Sequence, residues 1–129
     1  NAVLDIVEKE DLAGKARTVG AYFQARLKAA FGQLPIVGEV RGVGMLGAVE
    51  FVPDRSARKR FDPAHKVGAR ISAAARERGL IARAMPHGDI LGFAPPLVTT
   101  ESEIDEIVDI AEKAVRHVMD ELAKEGVLR

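Results

Sequence analysis

Residues 79–100 read GLIARAMPHGDILGFAPPLVTT. Two short apolar runs, residues 80–82 and 90–93, are separated by a segment that holds Pro86, Gly88 and Asp89, residue types that fix or free φ and so favour turns. The pattern predicts a β-hairpin with Arg83 at the end of its first strand. Pro95-Pro96 follows the second run and blocks further ladder pairing or helix at that point. Thr100 stands three residues ahead of Glu103, the spacing of a capping box that opens a helix. That closing helix, from Glu101 to Lys124, sets Ile104, Ile107, Val108, Ala111, Val115, Val118, Met119 and Leu122 on one stripe, and Gly126 is expected to end the ordered part.

Upstream of the hairpin, Asp62-Pro63 predicts a capped helix with Pro at its first position, with Val67, Ile71, Ala74 and Ala75 facing inward and Gly79 as its stop. Residues 36–52 change character: Val37 and Val40 lead to Arg41-Gly42-Val43-Gly44, then Met45-Leu46-Gly47-Ala48-Val49-Glu50-Phe51-Val52. This reads as two strands joined by a glycine-built turn. Without a third Gly and a following helix, the Gly-x-Gly does not meet the dinucleotide fingerprint and is read as turn chemistry. Glu50 is expected on the solvent side of its strand. Further back, Leu12, Ala16, Val19, Phe23, Leu27 and Ala30 recur at helical spacing, with Gly32 the natural stop. Asn1 runs straight into Val3, Leu4, Ile6 and Val7, which suggests that these residues continue something upstream. The fold class expected is α+β, a small antiparallel sheet of about three to four strands packed against helices, with residues 1–129 as a single domain.

Composition narrows the function classes. With 129 residues, 47% of them hydrophobic, the chain is large enough to bury a core without a covalent staple. Nineteen basic and 19 acidic side chains give a formal net charge of +0, so no long-range field favours nucleic acid or an anionic membrane. The absence of Cys removes disulfides, thiolate catalysis and zinc-thiolate sites, and fits a cytoplasmic protein. No apolar run approaches the ~20 residues a membrane helix requires, and the acidic and basic residues of the first dozen positions do not make a signal peptide.

Few residues offer chemistry of their own. Arg83 is either a solvated strand-end charge or a bidentate donor, held beside a rigid loop, for a carboxylate or phosphate. Residues 54–61 carry Arg55, Arg58, Lys59 and Arg60; with no aromatic platform interleaved they read as a solvated loop. His65, His87 and His117 fall in separate elements without a second ligand at metal spacing, so no metal site is expected. No Lys lies in an apolar strand-turn setting that would depress its pKa for Schiff-base chemistry.

The order of a helix, the Val-Arg-Gly-Val-Gly-Met-Leu-Gly-Ala-Val-Glu-Phe strand pair, a helix ending Arg78-Gly79-Leu80-Ile81, then Phe93-Ala94-Pro95-Pro96-Leu97-Val98-Thr99-Thr100 and a closing helix resembles the C-terminal small domain of class III aminotransferases. The resemblance covers nearly the whole chain. It implies a pyridoxal-phosphate enzyme of fold type I, with the Schiff-base lysine, the ring-nitrogen acid and the phosphate-holding groups all on a large domain outside this chain. It also implies a small-molecule amino donor, a keto acid acceptor and a homodimer at full length. In the α-amino-acid branch an Arg immediately before the Phe-Ala-Pro-Pro segment clamps the α-carboxylate; here that position is Gly92. The chain is therefore more similar to the ω-amino acid and amine:pyruvate transaminases, in which the Arg of a Leu-Ile-x-Arg segment, here Leu80-Ile81-Ala82-Arg83, pairs with the substrate carboxylate and swings out for an uncharged amine. The resemblance thus makes Arg83 the substrate-binding residue, with no catalytic or cofactor-binding residue in the chain. Two other readings stand beside it: a free-standing α+β partner-binding or dimerisation module, and an aminomutase, decarboxylase or racemase of the same architecture.

Overall fold

Helix α2, Leu12–Phe31, forms where the four-and-three spacing of apolar residues predicts. Asp11 sits ahead of it at φ 44° and accepts the amide of Gly14 at 3.1 Å. Its inward stripe is Leu12, Gly20, Phe23, Leu27 and Phe31, with Ala16, Val19 and Ala30 half-buried alongside. The computed structural model describes residues 1–57 and 59–128, in which α1 (Ala2–Lys9) buries no side chain and leaves Val3, Leu4 and Ile6 exposed.

After α2 come β1 (Val37–Val43) and β2 (Leu46–Phe51), then α3 (Val67–Glu77), β3 (Arg83–Ala84), β4 (Ile90–Phe93) and α4 (Glu101–Lys124). The four strands form one antiparallel sheet in the order β1-β2-β4-β3. Helix α2 lies against β1 and β2, α3 against β3 and β4, and α4 across α2 and α3. A single cluster of buried apolar residues fills the space between them, from Phe23 and Leu27 through Val49, Phe51 and Leu91 to Val108 and Leu122. The architecture is α+β, with helices on one face of the sheet. Among the described residues no helix is long and apolar enough to cross a membrane.

Several boundaries differ from the sequence expectation. The apolar run at 80–82 is not strand: Gly79, at φ +92°, and Leu80 donate their amides to Arg76 and Ala75, each at 3.0 Å, closing α3 with a Schellman pair. Ser72 Oγ donates to the carbonyl of Ala82 at 2.6 Å, so that carbonyl serves the helix rather than a ladder. The strand begins at Arg83 instead. Asp62-Pro63 opens only a 3₁₀ turn, Pro63–His65, because Lys66 at φ 48° interrupts the helix before Val67. The donor-satisfying group at the start of α3 comes from the hairpin loop, where Asp89 Oδ1 accepts the Gly68 amide at 2.8 Å. Gly126 does not end the ordered part, since Val127 bonds back to the Leu122 carbonyl at 2.9 Å and packs with Leu128 on the core. In the basic loop, Arg55, Lys59 and Arg60 are exposed, as expected, but Arg55 also donates to the carbonyls of Val37, at 2.6 and 2.8 Å, and Gly32, at 2.9 Å. Arg58 lies outside the described residues.

The closing helix has the predicted bounds, and its capping box is complete, with Thr100 and Glu103 each bonded to the other's backbone. An ionic staple ties α4 to α3: Arg70 donates to Glu125 at 2.8 and 3.0 Å and to Glu121 at 2.8 Å. These hydrogen bonds hold both carboxyls below the usual glutamate range, against a smaller opposing effect of burial. His117, 3.3 Å from Glu121, and His65, near Glu125, act in the same direction. Folded values below the unfolded ones mean that this stability is present above the unfolded Glu pKa of about 4.3 and is lost as pH falls through the folded values. Urea midpoints measured down a pH series are therefore expected to drop below that point, and to drop less steeply in Arg70→Ala. An identical slope in the variant would remove the staple from the explanation.

Candidate functional site

The helices cover one face of the sheet and leave the other open. Along β2 and β4, Val49, Phe51, Leu91 and Phe93 point into the core, so Leu46, Ala48, Glu50, Ile90 and Gly92 occupy the opposite face by strand alternation. Register sets the open face in rows. Arg41 pairs with Ala48, Ala48 with Gly92, and Gly92 with Arg83, a straight line across all four strands. The two ends of the row are guanidinium groups and the middle is nearly bare backbone.

A groove of about 660 Å³ runs over this row. Ala48 and Gly92 form its floor, Leu46 stands on the β2 side, and Ile81, Arg83 and Met85 stand on the other. The missing side chain at Gly92 is used: a Cβ there would sit 3.1 Å from Met85 Sδ, which folds over the glycine.

The two arginines are in different electrostatic states. Arg41 Nη1 is bound by Glu39 at 2.6 Å and Glu50 at 2.8 Å, and these hydrogen bonds, Glu50's first, raise its pKa. Glu50 lies on the open face, as expected, half-buried by its ion pair with Arg41. Arg83 is exposed and, among the described residues, makes no ion pair or side-chain hydrogen bond. A cation without a partner at the edge of an apolar groove is free to take an anion from solution.

Among the described residues His87 is the one histidine that reaches the groove; His65 and His117 lie away from it beside the Arg70 staple. No group of three or more metal-ligating side chains occurs among the described residues. Among the described residues no lysine lines the groove, so its residues do not fit a carbonyl cofactor held as an imine, and pyridoxal phosphate has no holder in this set.

Gln24 was not singled out by the sequence. Its side-chain Nε2 donates to the carbonyls of Gly44 and Leu46, both at 2.9 Å, from the helical side of the sheet. The signal was the glycine pattern. Gly44 takes φ +54° in the turn, a Cβ on Gly42 would meet Gln24 Oε1 at 2.6 Å, and one on Gly47 would meet Leu27 at 2.6 Å and Phe23 at 3.2 Å. The glycines therefore serve the turn, as expected, and also the close approach of α2.

A family profile described as "Aminotransferase class-III" matches residues 1–115. Over 126 residues the chain is 77% identical to an uncharacterized aminotransferase of Sinorhizobium fredii, covering 98% of this chain and 27% of that protein. Over 128 residues it is 59% identical to a diaminobutyrate–2-oxoglutarate transaminase of Halomonas elongata, covering 99% and 27%. Among solved structures, an omega-transferase from Vibrio fluvialis superposes with a TM-score of 0.87 at 37% identity, over 93% of this chain and 28% of that one. The chain spans about a quarter of the length of the curated relatives it matches.

Proposed function

The chain belongs to the class III aminotransferase family, and from that membership we propose that it forms the substrate-facing small domain of a pyridoxal-phosphate transaminase. The whole protein would move an amino group from an ω-amino acid or amine to pyruvate or a similar keto acid, as a homodimer. Bound pyridoxal phosphate supplies the electron sink of such a reaction. Its lysine and phosphate-holding groups belong, on this reading, to the part of the protein outside this chain.

Arg83 is the residue through which this domain recognises substrate. The observation that carries the proposal is the pairing of Arg83 with Gly92 on the open face, beside a groove whose other arginine is already neutralised. Directly opposed positions on antiparallel strands lie about 4.5–5.5 Å apart, and like charges there destabilise. One guanidinium can serve this spot from position 83 or from position 92, and this sequence uses 83. Its planar fork suits a carboxylate, and its long stem lets it turn away when the incoming amine carries none.

The assignment of the cofactor to the rest of the protein is tested by incubating this chain with pyridoxal phosphate, reducing with borohydride and weighing the intact protein and its peptides. Little labelling, scattered over surface lysines, is expected. A stoichiometric adduct at one lysine would overturn it.

A further inference from the structure

The groove's β2-side wall stands at the tip of the β1–β2 hairpin, and that tip has little to hold it from the open side. Val43 and Leu46 pair across it and are 76% and 60% exposed. What holds it comes from below. Gly20 of α2 approaches so closely that a Cβ there would lie 2.7 Å from Gly44 Cα, and one turn further on Gln24 donates both its amide hydrogens, to Gly44 and Leu46. A single side chain thus satisfies two carbonyls on either side of the turn, one of them belonging to the residue that walls the groove.

We propose that Gln24 is a positioning residue that sets the width of the groove, and hence the size of amine accepted, by fixing Leu46 opposite Arg83. The inference rests on the reading of this groove as the substrate site. Gln24 touches no substrate; it acts through the Leu46 carbonyl. Removing its donors loosens the Leu46 side of the turn, so that Leu46 can shift outward while the buried Met45, the Val43–Leu46 pairing and the Gly20 contact still hold the rest of the turn. Gln24→Leu keeps the volume and removes both donors, while Gln24→Glu keeps the shape and sets a carboxylate against two carbonyl oxygens.

The test uses the full-length enzyme with pyruvate as acceptor and two donors, β-alanine and 1-phenylethylamine. The ratio of their kcat/KM values is read because the fraction of correctly folded enzyme cancels from it, so a merely structural defect leaves it unmoved. The ratio is expected to shift towards the bulky amine about fivefold in Gln24→Leu, and at least as far in Gln24→Glu. Amide hydrogen exchange over residues 43–46 is expected to quicken about tenfold in Gln24→Leu. A ratio within about twofold of wild type, or unchanged exchange at the tip, overturns the proposal. Arg83→Ala assayed alongside separates the two readings: if it damages pyruvate turnover while the Gln24 variants leave the ratio alone, only the positioning role falls. If it damages nothing, the groove is not the carboxylate site.

Discussion

Replacing Arg83 with Ala in the full-length enzyme is expected to lower kcat/KM for pyruvate roughly a hundredfold, the scale of losing a charge-assisted, bidentate contact to a carboxylate. Binding of an apolar amine without a carboxylate is expected to change by less than about threefold, because only its neutral body meets the groove. Arg83→Lys should fall between, since an ammonium offers charge without the planar fork. The register adds a sharper expectation. Position 92 faces the same groove directly across from 83, so Gly92→Arg in the Arg83→Ala background should recover part of the pyruvate activity, with Met85 displaced from over the glycine. Steady-state kinetics with both donor types checks all of this. Equal losses for pyruvate and for the apolar amine would remove Arg83 from carboxylate recognition.

Phe23→Ala is expected to cost about 3–5 kcal/mol of stability, a large share of the roughly 5–15 kcal/mol available to a domain of ordinary size. Phe23 is fully buried, meets Phe93 edge to face with centroids 6.2 Å apart and planes at 75°, and lies under the bare backbone of Gly47. The cavity left behind has no easy way to close. Gly20 already brings α2 against the Gly44 backbone, so the helix and sheet are in contact and neither can settle into the gap. Urea unfolding of this chain should show the midpoint falling with the slope unchanged. A loss below about 1 kcal/mol would mean that the core collapses around the site more freely than the Gly20 contact allows.

The closing helix shows how far local signals reach. Its bounds follow from Thr100 and Glu103, whose capping box closes within four residues, and from a single apolar stripe that any helical arrangement would bury. The same holds for α2 and for the two Gly-joined strands. Where the expectation failed, a distant partner had intervened. Residues 80–82 look like a strand, yet Ala75 takes the Leu80 amide and Ser72 takes the Ala82 carbonyl. Arg55 is exposed, as expected, yet it also reaches carbonyls 18 and 23 residues back. Asp89 looks like a turn residue, yet it completes the start of α3.

The candidate site divides along the same line. The sequence by itself determined the α+β class, the main helices and the hairpin, and its resemblance to a family singled out Arg83 and Gly92 for the proposal, because periodicity, caps and motifs act over a few residues. Only the tertiary structure decided that Arg83 and Gly92 share a row with Ala48 and Arg41, that Glu39 and Glu50 neutralise Arg41 and leave Arg83 without a partner among the described residues, and that Gln24 donates to the Leu46 carbonyl. Strand register and helix approach are set by contacts between residues far apart in the chain, and a one-residue slip in any strand would have turned a different set of side chains towards the groove.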